Sequence, residues 1–186
     1  MLTLVLGGAR SGKSRYAQAL CKDAEKVIYV ATASSAGTDD EMLRRIARHR
    51  AKRPSHWRTI EEPLDLARVV REMALPNVVL LVDCVTLWLS NLAWEHRALT
   101  DDKREGLILE RVVEFVQAAG ECEVVAVSNE VGSGIVPDNP IARSFRDVQG
   151  LANQTLARYA ARVILLVAGL PLVLKGSSDN QKLNVD

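Results

Sequence analysis

Gly7-Gly8-Ala9-Arg10-Ser11-Gly12-Lys13-Ser14 satisfies G-x-x-x-x-G-K-[ST], and the stretch sits where that motif needs to sit. An apolar run over residues 2–6 precedes it, and a helical pattern over 14–24 follows, with Ala17, Leu20 and Cys21 on one face. Glycines let the backbone curl until successive N–H groups converge on one anion, and the helix that begins near Lys13 points its positive dipole end at the same place. Such a loop cradles nucleoside triphosphate. Lys13 is then the cation for the β- and γ-phosphates, and the Ser14 hydroxyl is a ligand for Mg²⁺. A strand–loop–helix unit of this kind commits the chain to an α/β fold with a mainly parallel sheet.

The remaining pattern continues the alternation. Residues 27–31 read as a strand, and Asp39-Asp40-Glu41 gives an acidic first turn to a helix carrying Met42 and Ile46. A helix is expected over 64–73, and the apolar run 78–82 reads as a strand buried on both faces, which we place at the sheet's centre. Helices over 86–94 and 103–119, a strand over 124–127 ending at Ser128-Asn129, and a long helix over 141–161 follow. Residues 163–167 and 172–174, joined through Gly169-Leu170-Pro171, predict a C-terminal hairpin that puts an antiparallel edge on the sheet. With no internal repeat and no linker, residues 1–176 read as one nucleotide-binding domain, and residues 177–186 as a polar, mobile tail. Asp83 closes the central apolar run, where a P-loop protein places the carboxylate that orients the Mg²⁺ hydration shell.

Charge and composition narrow the partners. A formal net charge of +1 and 4% aromatic residues provide neither the field nor the stacking platforms that nucleic acid requires. Nothing approaches the roughly 20 apolar residues of a membrane span, and the short apolar N-terminus predicts no export signal. Three widely spaced cysteines, Cys21, Cys84 and Cys122, suggest neither a disulfide framework nor a zinc site and suit a reducing cytoplasm.

One local cluster breaks the neutrality. Arg44, Arg45, Arg48, Arg50, Lys52, Arg53 and Arg58 surround His49, and on a helix Arg45, His49 and Arg53 would share a face. Alone, such a run reads as a solvated basic surface. Beside a triphosphate loop it has a second reading: cations that neutralise a departing pyrophosphate would also disfavour protonation of His49, leaving a neutral imidazole able to act as a nucleophile. His56 beside Trp57 and His96 near Trp94 lack this setting and read as packing or surface residues. Glu61 and Glu62 are either ligand contacts or exposed charges.

Taken together, these segments resemble a known family, the bifunctional adenosylcobinamide kinase / adenosylcobinamide-phosphate guanylyltransferases of cobalamin biosynthesis. The resemblance runs through the phosphate loop, Tyr29-Val30-Ala31-Thr32-Ala33, Asp39-Asp40-Glu41-Met42 with Arg45-Ile46 and His49, and Arg53-Pro54. It continues through His56-Trp57-Arg58-Thr59, Glu61, Asn129-Glu130-Val131-Gly132-Ser133-Gly134-Ile135-Val136-Pro137, Ala142-Arg143, Phe145-Arg146-Asp147 and Asn153-Gln154. It implies a RecA-like P-loop NTPase fold, a homotrimer, ATP and GTP as substrates with Mg²⁺, and adenosylcobinamide and adenosylcobinamide phosphate as partners. It also implies a two-stage reaction: phosphorylation of adenosylcobinamide, then transfer of GMP from GTP through a guanylylated histidine to give adenosylcobinamide-GDP and pyrophosphate. By position His49 is that histidine, and with Lys13 it makes the catalytic pair. The implied nucleotide contacts are Gly7, Gly8, Ala9, Arg10, Ser11, Gly12, Lys13, Ser14, Ala31, Thr32, Ala33, Arg50, Ala51, Lys52, Arg53, Glu61 and Asp83, with Ser14 and Asp83 as metal ligands. Family members carry Glu where this chain has Asp83, which shortens the reach, and some have two adjacent histidines where it has Arg48-His49.

Two other classes share the phosphate loop. A small-molecule P-loop kinase without histidine chemistry would use the arginines as a clamp or lid. A GTPase-type switch usually carries N-K-x-D, which is absent, and D-x-x-G soon after the third strand, whereas here Asp147-Val148-Gln149-Gly150 falls inside a predicted helix.

Overall fold

The computed structural model describes residues 1–33, 44, 47, 50 and 53–177. The helix expected from Asp39 with Met42 and Ile46, the residues His49, Ala51 and Lys52, and the tail from 178 lie outside the described residues.

Seven strands form a single sheet: β1 (Leu2–Gly7), β2 (Lys26–Ala31), β3 (Arg58–Glu61), β4 (Val78–Asp83), β5 (Glu123–Asn129), β6 (Arg162–Val167) and β7 (Leu170–Lys175). Their order across the sheet is β3-β2-β4-β5-β1-β6-β7. Every pairing is parallel except β6 with β7. The helices are α1 (Lys13–Leu20), α2 (Leu66–Met73), α3 (Val85–Glu95), α4 (Asp101–Ala119) and α5 (Pro140–Tyr159). None is long and apolar enough to cross a membrane.

Strand alternation splits the core into two layers. Leu4, Leu6, Val30, Leu80, Val82, Val124 and Ala126 pack with α2 to α5 on one face, around Trp88 and Phe115 with rings 5.7 Å apart. Val5, Tyr29, Leu81, Val125, Val127 and Ile164 face the other way, against Ala17 and Cys21 at α1 and against Trp57. A parallel sheet covered on both faces requires the uninterrupted apolar runs seen in the sequence.

Two expectations are revised by the sheet. The central strand is β5, with β4 beside it, because continuous hydrophobicity marks any strand covered on both faces and does not rank the interior strands. The hairpin turn is Ala168-Gly169, with φ of 51° and 84°, rather than Gly169-Leu170-Pro171. Two consecutive positive φ values give the turn that matches strand twist, and Pro171 sits within β7, where an edge strand tolerates a missing N–H. The strand β3 was not foreseen at all.

Candidate active site

Parallel pairing brings the carboxyl ends of six strands to one rim. Along it Glu61 pairs with Ala31, Ala31 with Asp83, and Gly7 with both Asn129 and Leu166. Ligands of α/β sheets bind at such a rim. Asp83 stands level with Val127 of β5, and β5 separates it from β1, so about 10 Å of sheet lies between β4 and β1 at two strand spacings.

The phosphate loop leaves β1 at Gly7, whose φ is +154°; a Cβ there would lie 2.5 Å from Ser11 Oγ and 2.6 Å from the Leu166 carbonyl. No other residue fits that position. Gly12, at φ +95°, is the N-cap of α1, a conformation an L side chain rarely adopts. No side chain caps this helix and its first turn holds no acid, so its leading N–H groups remain directed at the loop. Ser11 Oγ is buried with no hydrogen-bond partner among the described residues. Lys13 is 7% exposed, and its ammonium donates to the Gly8 carbonyl at 2.6 Å across the loop. From the far side, the Gly169 N–H donates to the Ser11 carbonyl at 3.0 Å, so the β6–β7 turn braces the loop. The Glu130 N–H donates to the Gly7 carbonyl at 3.0 Å, tying on the β5 end.

Around Asp83 the wiring is denser. The Tyr29 hydroxyl donates to Asp83 Oδ2 at 2.8 Å, and the Arg53 guanidinium lies 3.4 Å above the centre of the Tyr29 ring. Burial, and then the Asp83 charge, push the Tyr29 phenol well above its ordinary pKa, so it stays a donor throughout the physiological range. Thr32 is fully buried; its hydroxyl donates to the Cys84 carbonyl at 2.8 Å and accepts from the Cys84 N–H at 2.9 Å. The Thr32 carbonyl accepts from Asn91 Nδ2 at 2.8 Å. The Asp83–Cys84 peptide is cis.

The rim thus gathers Gly7 to Ser14, Ala31 to Ala33, Glu61 and Asp83, all predicted from sequence. Arg44, Ala47 and Arg50 are helical and exposed, whereas Arg53 has left the helix for a bend, its N–H on the Arg50 carbonyl at 3.2 Å. Arg53 therefore covers Tyr29 instead of extending a helical face from Arg45. His56 is exposed and His96 caps the end of α3, as surface and packing residues would. Glu62 is a structural acid: Oε1 accepts from the Leu64 and Asp65 N–H groups, both at 2.9 Å, and Oε2 pairs with Arg68.

Sequence reasoning gave no role to Tyr29 or to a buried amide cluster behind β5. Gln149 Nε2 donates to Ser128 Oγ and Asn153 Oδ1, both at 3.0 Å, and Asn153 Nδ2 donates to the Asn129 carbonyl at 3.0 Å. The Asn129 N–H meanwhile donates to Thr86 Oγ1 at 2.8 Å. The available signal was two amides spaced i, i+4 on the apolar stripe of a helix.

Over residues 3–174 the sequence matches the family described as cobinamide kinase / cobinamide phosphate guanyltransferase. The chain belongs to this family. The bifunctional adenosylcobalamin biosynthesis protein CobP of Pseudomonas aeruginosa is 46% identical over 180 residues, 95% of this chain and 98% of that protein. The bifunctional adenosylcobalamin biosynthesis proteins CobU of Escherichia coli and Salmonella typhimurium are 42% and 41% identical over 183 residues, 94% of this chain and all of each relative. Among solved structures, the ATPase of a bacterial type III secretion system superposes with a TM-score of 0.58 at 13% identity, covering 89% of this chain and 51% of that one. That likeness concerns the fold alone, and the expected α/β architecture, a mainly parallel sheet with flanking helices and a C-terminal antiparallel edge hairpin, is the one observed.

Proposed function

We infer that this cobinamide kinase / cobinamide phosphate guanyltransferase acts on adenosylcobinamide in two stages, with both chemistries served by the rim above β1 and β4. What supports this most is that the family match extends over residues 3–174 and encloses an intact phosphate loop. In the first stage the substrate hydroxyl attacks the γ-phosphorus and the bond to the β-phosphate oxygen breaks. Lys13 and the loop N–H groups take up the developing charge, so the step needs positioning and neutralisation more than a strong base.

The donor set suits Mg²⁺. No group of three or more His, Cys, Asp or Glu side chains is placed to hold a metal among the described residues, while the Ser14 hydroxyl and the Asp83 carboxylate are hard oxygens at the phosphate-loop helix and at the end of β4. One hydroxyl and one carboxylate fit an ion that arrives with nucleotide phosphates and retains water. Bound there, Mg²⁺ supplies charge neutralisation to the β- and γ-phosphates. Asp83 Oδ2 accepts from the Tyr29 hydroxyl, and the carboxylate's remaining acceptor sites, Oδ1 among them, would be available to help hold the ion.

In the second stage His49 attacks the α-phosphorus of GTP, the bond to pyrophosphate breaks, and the phosphate oxygen of adenosylcobinamide phosphate then displaces the histidine. Two displacements replace one difficult one. Arg44, Arg50 and Arg53, close to His49 in sequence, suit the departing pyrophosphate. Three free cysteines agree with a cytoplasmic protein. The exposed apolar residues of β7, Leu170, Leu172 and Leu174, support self-association into the trimer that the resemblance implies.

The test is covalent labelling. Protein given α-labelled GTP is expected to retain the label through denaturation and in alkali and to release it in mild acid, as a phosphorus–nitrogen bond does. A protein that phosphorylates adenosylcobinamide and takes no label is a kinase without histidine chemistry.

A further inference from the structure

We propose that Tyr29 is a positioning residue for Asp83: its phenol fixes the carboxylate in one rotamer and turns Oδ1 toward the nucleotide side of the rim. The proposal rests on the reading of Asp83 as the metal-site carboxylate and adds a residue to it.

Asp83 is the half-buried last residue of β4, paired with strands on both sides. Its neighbour across the β2–β4 ladder is Ala31, which offers no polar atom, and the next residue on that face of β2 is Tyr29. From there the phenol reaches forward along the strand to Oδ2, making a 2.8 Å hydrogen bond to a carboxylate. Tyr29 is itself held. The residue is 1% exposed, Arg53 stacks over its ring at 3.4 Å, and Arg53 Nη1 reaches Thr59 Oγ1, at the β3 position paired with Tyr29, at 3.5 Å. A cation over the ring polarises the O–H toward its acceptor and strengthens the bond. Below, the Thr32 hydroxyl accepts from the Cys84 N–H and donates to the Cys84 carbonyl, which holds the backbone just after Asp83. A tyrosine serving only as filler needs one acceptor for its hydroxyl; this one makes its bond to the rim carboxylate and carries the half-buried Arg53 guanidinium on its face.

Tyr29→Phe retains the ring and the Arg53 stacking and removes only the hydroxyl. Mn²⁺ binding to the full-length protein saturated with a non-hydrolysable ATP analogue, followed by electron paramagnetic resonance, should weaken about tenfold. The Mg²⁺ concentration for half-maximal kinase rate should rise by the same factor, with metal-free nucleotide affinity unchanged. Asp83→Asn is the companion variant. If it weakens Mn²⁺ binding and Tyr29→Phe does not, Tyr29 is a core residue, the proposal is overturned and the assignment of Asp83 stands. If Asp83→Asn leaves Mn²⁺ binding unchanged, that assignment fails and the proposal fails with it. Should Tyr29→Phe not fold, wild-type protein containing 3-fluorotyrosine gives three ¹⁹F signals, from Tyr16, Tyr29 and Tyr159. Mg²⁺ added to the nucleotide complex must then shift the Tyr29 signal; a signal that stays in place overturns the proposal.

Discussion

Lys13 holds its ammonium against the Gly8 carbonyl, at the start of a helix whose first turn holds no acid and whose N-cap makes no side-chain hydrogen bond. Lys13→Ala removes the ammonium that the loop holds over the phosphate site, so adenosylcobinamide phosphorylation should fall by about a hundredfold or more in a variant that circular dichroism shows to be folded. Steady-state kinetics checks this, and turnover near wild type would mean that Lys13 does not face the phosphates. Spacing alone located Lys13, because its role follows from backbone geometry that the glycines dictate. Asp83 was legible as the carboxylate at the end of an apolar run. Its partner Tyr29 was not, because a hydrogen bond between β2 and β4 depends on register, and register is a property of the folded sheet. Thr32 shows the converse: the resemblance makes it a nucleotide contact, while its hydroxyl is engaged with the Cys84 backbone on both sides.

Strands β1, β2, β4 and β5 could be read because each is an apolar run covered on both faces. The strand β3 could not: Arg58–Glu61 is four residues at the sheet edge, with no period, and it exists because Trp57 anchors its start and β2 supplies its hydrogen bonds. The start of α2 was also misplaced by two residues, and the reason is Glu62. Its carboxylate ties the Leu64 and Asp65 N–H groups ahead of the first turn, and Asp65 Oδ1 then accepts from the Arg68 N–H as the N-cap. Burial opposes ionisation of Glu62, but the two backbone N–H groups and Arg68 outweigh it, so its pKa lies below the ordinary 4.5. A depressed carboxylate adds stability above its unfolded pKa, and that stability is lost as pH falls through the folded value. Glu62→Gln should therefore cost about 1–2 kcal/mol at pH 7, and the gap to wild type should close below pH 4.5, toward the depressed value. Urea unfolding at neutral and acid pH measures both; a gap that persists undiminished in acid would contradict the assignment.

The sheet order places β5 between the phosphate-loop strand and the Asp83 strand, and the β6–β7 hairpin closes the other flank with its turn hydrogen-bonded to the loop at Ser11. Alternation of strand and helix in the sequence implied the class of this architecture and its antiparallel edge, but not the strand order, which depends on pairings between segments far apart in the chain. All six residues of β7 are exposed, with Leu170 at 73%, so the edge beside the phosphate loop is apolar on both faces. A trimer built through this edge predicts that light scattering gives three times the mass of the chain and that Leu172→Lys lowers it; a fully active wild-type monomer would remove the trimer. In the proposed two-stage account the division of labour turns on His49, and one comparison decides it. With α-labelled GTP and, separately, with ATP and adenosylcobinamide, the His49→Ala protein should take no acid-labile label and make no adenosylcobinamide-GDP while phosphorylating adenosylcobinamide at the wild-type rate. Stable labelling of that variant, or loss of both activities in a correctly folded one, would contradict the covalent two-stage account.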